Sequence, residues 1–385
     1  MSAGYVVDHD LDIPYCRSIN AERLELQREL IAYAGLDGDK KVMAVALPSG
    51  MAAIGCLFQV ILKQWAGENP HFVLGNELYC DTPRTIGYLA EMGIPFTYAY
   101  VDVTDHDQLC CAVNGNRKNL AMVFVETCSN PSGRMCDLPS LAQLIKKNAP
   151  RCVLCVDNTW ASFALFDPFA HGAQVVVESL TKYGSGGTCI GGAIFGRGRL
   201  MKRVERWIQV FGGFMTPHHC QMLVDGLRGN LAGRVEAAGA LAIRVAEWLE
   251  SRKEVDRVLH PTLVGHPTFV RNQDLLGRDK GPGVVLFHVP VKLDVGVPNP
   301  KKLAKEVVAG DAPLRHIRLE TSYGSAYSKI CPWAGWGKTD KFEKAETKDA
   351  AEGLWLRLAV GYESSFEEVV SDLSLLLRRA QNVHE

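Results

Sequence analysis

The chain of 385 residues is 47% hydrophobic and 22% charged, with a formal net charge of -1, a globular composition long enough for two domains. Its Lys and Arg are interspersed with Asp and Glu, so no basic face points to nucleic acid. The N-terminal run MSAGYVVDHDLDIPYCRS has no basic segment followed by an apolar core, and no window approaches about 18 uninterrupted apolar residues, so the expectation is a cytoplasmic protein with reduced cysteines.

Between residues 40 and 200, short apolar runs alternate with amphipathic stretches, the pattern of a parallel sheet covered by helices. Strands are predicted at Val42–Leu47, His71–Leu74, Phe96–Val101, Ala121–Glu126, Cys152–Asp157, Gln174–Ser179 and Gly191–Phe195, with helices at Met51–Trp65, Thr82–Met92 and Leu138–Lys147. One long helical connector is predicted from Thr216 to Arg252, a stretch rich in Ala, Leu, Glu and Arg. Beyond it, strands at Val284–Val289, Ile317–Glu320 and Leu354–Val360, with helices at Pro300–Val308 and Phe366–Ala380, predict a smaller α+β unit. The Lys-rich stretch from Gly335 to Lys348 is expected to be its most exposed loop.

Three places carry chemistry. Lys182 follows Ser179, Leu180 and Thr181 at the end of a predicted strand and precedes the Gly-rich turn Gly184 to Gly187, where α/β domains gather ligands. Asp157 ends the apolar run Cys152–Val156; a carboxylate there could keep the ring nitrogen of pyridoxal phosphate (PLP) protonated, opposite a lysine bound to its aldehyde. The small-residue turn Pro48-Ser49-Gly50-Met51-Ala52-Ala53 leads into a helix, a place where backbone amides cradle phosphate. It lacks the Gly-Lys-Ser/Thr ending of a nucleotide P-loop. Metal binding has little support: Cys152 and Cys155 lie in an apolar strand, where that spacing turns the thiols to opposite faces, and His218-His219-Cys220 reads as a helix start.

Together these segments resemble the Cys/Met-metabolism family of fold-type I PLP enzymes, which includes cystathionine γ-synthase, cystathionine γ-lyase and methionine γ-lyase. The most specific match is Val156-Asp157-Asn158-Thr159-Trp160-Ala161-Ser162 followed by Ser179-Leu180-Thr181-Lys182-Tyr183. The resemblance implies an α/β fold with a mostly parallel seven-stranded sheet plus a smaller α+β domain. It implies an N-terminal arm over 1–40, a PLP-binding domain over 41–245 and a C-terminal domain over 246–385.

It further implies that Lys182 carries PLP as a Schiff base and shuttles protons, that Asp157 pairs with the pyridinium nitrogen, and that Tyr79 stacks on the ring and serves as an acid/base group. Gly50 and Met51 amides, with the Ser179 and Thr181 hydroxyls, would bind the phosphate. Tyr15 and Arg17 would reach the phosphate of a neighbouring subunit in a homo-oligomer, in this family usually a tetramer. Arg357, in Leu356-Arg357-Leu358-Ala359-Val360-Gly361, would clamp the substrate's α-carboxylate, Asn130 would serve the cofactor's ring oxygen or that carboxylate, and Ser322 would add a further carboxylate contact. The sequence departs from the family pattern at Ile19, Cys80, Asp81, Gly187 and Thr321, which leaves the distal pocket changed while the cofactor set is intact. Asp81, beside the stacking tyrosine, could face the distal part of the substrate or cap the helix beginning near Thr82. The expected activity is γ-replacement or α,γ-elimination on a γ-substituted 2-amino acid through a vinylglycine-type intermediate. A β-eliminating C–S lyase and a non-catalytic family member are the alternatives.

Overall fold

Apolar residues at alternate positions point to opposite faces of a strand, and that alternation lays out two of the protein's cores. The computed structural model describes residues 6–8, 13–15, 20–291, 306–310, 313–333 and 353–381. Strands β1 (Val6–Asp8) and β2 (Ile13–Tyr15) pair antiparallel. Strands β3 (Val42–Leu47), β4 (His71–Gly75), β5 (Thr97–Val101), β6 (Leu120–Glu126), β7 (Val153–Asp157), β8 (Val175–Glu178) and β9 (Gly192–Arg197) then form a seven-stranded sheet in the order β3-β9-β8-β7-β6-β4-β5. Strand β9 runs antiparallel to both β3 and β8, and the remaining pairs are parallel.

One face of this sheet, with Val45, Phe72, Phe124, Val177 and Ile194, packs on helices α2 (Gly50–Gln64), α3 (Asp81–Glu91) and α7 (Gly198–Phe211). The opposite face, with Ala44, Val73, Val123, Val156 and Phe195, meets α1 (Ala21–Tyr33), α4 (His106–Gly115), α5 (Leu138–Asn148), α8 (Pro217–Arg228) and the start of α9 (Leu231–Glu250). A sheet covered on both faces explains why β6 reads as an unbroken apolar run and is buried along its whole length. The short α6 (Ser162–Leu165) follows β7.

The predicted connector from Thr216 to Arg252 is two helices. It breaks at Gly229-Asn230, where Asn230 takes φ 61 and its side chain accepts the Gly233 N–H. Only a residue that tolerates the left-handed region ends one helix and caps the next in so short a space. Helix α9 bridges the two parts of the molecule: Val235 and Ala238 belong to the large-sheet core, whereas Val245 and Leu249 pack against the second sheet.

That second sheet has five strands, β10 (Arg257–Leu259), β11 (Val284–Pro290), β12 (Ile317–Leu319), β13 (Ser328–Pro332) and β14 (Gly353–Ala359), in the order β10-β11-β14-β13-β12. Helix α10 (Phe269–Leu276) precedes β11, and the final α11 (Phe366–Gln381) covers the sheet through Val369, Leu373, Leu376 and Leu377. Strands β10 and β13 were not predicted: the first is three residues long, and the second opens on Ser328-Lys329. Of the helix predicted at Pro300–Val308, residues 306–309 are described and helical; the Gly335 to Lys348 loop lies outside the described residues. No helix among the described residues is long and apolar enough to cross a membrane.

Candidate active site

Strands β6 and β7 deliver their last residues, Glu126 and Asp157, and the turns after β3 and β8 deliver Ser49 to Met51 and Ser179, to one cavity of about 340 Å³, closed on its far side by β13, β14 and the segment 321–323. Lys182 stands in its wall, with Nζ donating to Ser322 Oγ at 2.8 Å and lying 5.2 Å from the Tyr323 ring centroid. Burial, and then the Arg357 and Lys329 cations, lower its pKa to about 8. Ser322 itself has φ 82, a strained conformation for a residue with a side chain.

Asp157 ends β7 and is 9% exposed; its Oδ1 accepts the Thr159 N–H at 2.9 Å and the Thr159 hydroxyl at 2.5 Å. Burial raises its pKa despite these bonds, and Lys182 opposes the rise. A buried carboxylate in that state is stabilised by a cation placed against it.

The turn after β3 is built by close approach. Ser49 caps α2, its Oγ accepting the Ala52 N–H at 3.0 Å and its carbonyl accepting the Ala53 N–H at 3.1 Å, so by helix geometry the Gly50 and Met51 N–H groups have no intrahelical acceptor. A Cβ on Gly50 would stand 2.8 Å from Ser179 Cβ, and one on Gly192 only 2.2 Å from the Ser49 carbonyl oxygen. The turn thus needs glycine on both sides, and it presents free amides beside the Ser179 side chain, a fit for an anion. Thr181 is also in the wall, but its hydroxyl is held by the Gly191 carbonyl and N–H at 3.2 and 3.1 Å.

Across the cavity, β14 presents Arg357, 8% exposed, whose Nη1 donates to Asn130 Oδ1 at 3.1 Å, while its buried Nε has no hydrogen-bond partner among the described residues. A buried guanidinium held by one N–H and unpaired at another leaves room for a carboxylate. Tyr79 is 38% exposed at the mouth; partial burial, then Cys80 and Asp81, push its hydroxyl up to about 12.

Of the predicted residues, Gly50, Met51, Tyr79, Asn130, Asp157, Ser179, Thr181, Lys182, Ser322 and Arg357 all line this cavity. Asp81 is not among its wall residues. It is the first residue of α3, and its carboxylate takes Arg84 at 2.8 Å, three residues along the same helix. Tyr15 is described only as backbone of β2, and Arg17 and Ile19 lie outside the described residues. Glu126, Thr159 and Tyr323 share the cavity wall as well, roles that the sequence pattern does not assign. The available signal for Glu126 was a carboxylate ending an apolar strand, as Asp157 does; β6 and β7 place the two opposite each other in register.

The family model described as Cys/Met metabolism PLP-dependent enzyme matches residues 5–378. The chain belongs to that family. It is similar to cystathionine beta-lyase of Bacillus subtilis, 29% identical over 371 residues that cover 94% of this chain and 86% of that protein. It is likewise 29% identical to L-methionine gamma-lyase of Treponema denticola, over 86% of this chain and 77% of the relative. Among solved structures, cystathionine gamma synthase from Xanthomonas oryzae pv. oryzae in complex with aminoacrylate and cysteine superposes with a TM-score of 0.80 at 26% identity, covering 98% of this chain and 92% of that one.

The protein is therefore a PLP-dependent enzyme of Cys/Met metabolism with the fold-type I architecture. The cavity fits that cofactor on its own chemistry. It offers an amine of lowered pKa, a buried carboxylate in need of a cation, and the first amides of a helix, which have no acceptor within that helix. Small amino acids suit the family, and the unpaired Arg357 Nε suits their carboxylate.

Proposed function

We propose that the chain catalyses γ-replacement or α,γ-elimination on a γ-substituted 2-amino acid, with Lys182 carrying the cofactor. The observation that supports this reading is the convergence of Lys182, Asp157 and Arg357 on one buried cavity. When bound, PLP supplies an electron sink that makes the substrate's Cα proton acidic and, after a second loss at Cβ, allows a group to leave Cγ.

In this reading Lys182 takes and returns those protons. An amine with a pKa of about 8 is unprotonated in roughly one molecule in ten at pH 7 and can act as a base without a large pH excursion. The Ser322 hydroxyl, 2.8 Å from Nζ, aims it. Arg357 binds the α-carboxylate with the N–H groups that Asn130 leaves free. Asp157, fixed by Thr159, holds a positive charge on the ring nitrogen. The Gly50 and Met51 amides and the Ser179 hydroxyl bind phosphate, and Thr181 shapes the turn through Gly191. The Tyr79 ring, in the cavity wall, would stack on the bound cofactor. Tyr15 and Arg17 complete a neighbouring subunit's phosphate site in a homo-oligomer, a tetramer by family resemblance.

Space for a group at Cγ comes from an apolar wall that includes Ile54, Ile190, Pro332 and Trp333. A second reading, β-elimination, is favoured by the relative described as a cystathionine beta-lyase, whose match spans 94% of this chain. A panel of L-methionine, L-cystathionine, L-cysteine and O-activated homoserines, assayed for 2-oxo acid, ammonia, thiol and replacement products, separates them. Products from methionine or activated homoserines support γ-chemistry; pyruvate from cystathionine and cysteine alone refutes it.

A further inference from the structure

Glu126 closes β6 with its Cα opposite Asp157, and it is 5% exposed in the wall of the Lys182 cavity. Its Oε1 accepts the Tyr79 N–H at 2.5 Å, and the carboxyl group also accepts the Asn130 N–H. These two segments arrive from different loops. Tyr79 lies just before α3, whereas Asn130 follows β6 and holds Arg357 through its side chain at 3.1 Å. Next to this tie is a second one of the same kind: Glu77 accepts from the Ser132 hydroxyl and pairs with Arg134 at 3.2 Å. Burial and the neighbouring Asp157 hold Glu126 well above the usual carboxylic range. Both effects disfavour a second negative charge beside Asp157.

We infer that Glu126 is a positioning residue: its carboxyl group fastens the Tyr79 segment to the Asn130 segment, so that the tyrosine ring and the Asn130–Arg357 pair keep one spacing across the cavity. The inference rests on the roles proposed above for Lys182, Tyr79 and Arg357. A shift of about an ångström between two walls that hold cofactor and substrate is enough to weaken both.

The test compares wild type, Glu126→Ala and Glu126→Gln as full-length holoproteins. PLP affinity is read by absorbance titration, ring placement by the visible circular dichroism of the bound cofactor, and KM and kcat with whichever amino acid of the panel the wild type turns over fastest. Thermal unfolding is followed in parallel. Glu126→Ala is expected to raise the PLP Kd and the KM each about tenfold, the size of one strong buried hydrogen bond, and to alter the visible dichroism. Glu126→Gln keeps a carbonyl acceptor for these N–H groups, and is expected to stay within about threefold of wild type on both constants. Wild-type affinity, dichroism and KM in Glu126→Ala overturn the inference whatever its melting temperature, and so does a glutamine variant as damaged as the alanine one.

Should Glu126→Ala not fold, amide hydrogen exchange of the wild type and Glu126→Gln decides. Matched slow exchange of the Tyr79 and Asn130 amides supports the tie, and fast or unrelated exchange overturns it. A wild type that takes up no PLP overturns the proposed site and this inference together; a PLP-binding wild type with an indifferent Glu126→Ala overturns this inference alone.

Discussion

Replacing Arg357 by lysine tests the carboxylate clamp while keeping its charge. In the wild type one guanidinium N–H is committed to Asn130 at 3.1 Å, and the guanidinium lines the cavity with donors to spare. A planar fork in that position gives a carboxylate two parallel hydrogen bonds, whereas an ammonium gives a point contact. The loss is therefore one hydrogen bond between charged partners, about 1.5–3 kcal/mol, or a KM raised roughly 10- to 150-fold. Because the clamp acts on ground and transition states alike, kcat should change far less.

The retained positive charge adds a second readout. Arg357 is the largest electrostatic contributor, after burial, to the lowered pKa of Lys182. The apoprotein's rate of PLP uptake, which requires the unprotonated amine, should thus rise through pH about 8 in both wild type and Arg357→Lys. In Arg357→Met the same limb should move to higher pH. Steady-state kinetics and absorbance-monitored reconstitution across pH 6–10 measure both. A lysine variant with unchanged KM, or a methionine variant with an unmoved limb, would refute the reasoning.

Lys182→Ala should abolish the visible band of the lysine-bound cofactor and lower turnover by at least the roughly 10²–10⁴-fold of a lost proton-transfer group; spectrum and kcat check both. Lys182 also makes apoprotein stability depend on pH. Its folded pKa, about 8, lies below the ordinary 10.5, so the folded state releases the proton first: the penalty is full below about 8 and is relieved as pH rises towards 10.5, by at most about 3 kcal/mol. Urea unfolding of the apoprotein at pH 7.5 and 10 should therefore show a stability gain that Lys182→Met lacks. Gly192→Ala, whose new Cβ would meet the Ser49 carbonyl oxygen at 2.2 Å, should displace the phosphate turn. It should weaken PLP binding by about tenfold or more and lower the apoprotein's melting temperature, as titration and calorimetry would record.

The sequence by itself determined what is local. Apolar runs located the seven strands of the large sheet, because the inner strands, buried on both faces, must be apolar throughout, while the exposed edge strand β5 is marked by its β-forming Thr, Tyr and Val. Short motifs located Lys182, Asp157 and the Gly50 turn, because strand ends and helix starts are where polar groups can face a ligand. Pairings between distant segments were left to the tertiary structure. Arg357 meets Asn130 across 227 residues, Lys182 meets Ser322 across 140, and Tyr79 meets Glu126 across 47; no periodicity within one element encodes such a meeting. Asp81 was legible as an acidic residue beside Tyr79, but only the fold decided that its carboxylate meets both Arg84, one turn along α3, and the Tyr79 hydroxyl at the cavity mouth. The break at Asn230 was hidden because the flanking sequence is helical on both sides, and a single left-handed residue carries the turn. Composition and pattern fix which groups are available at each strand end; packing of α9 and the second sheet against the first decides which of them share a cavity.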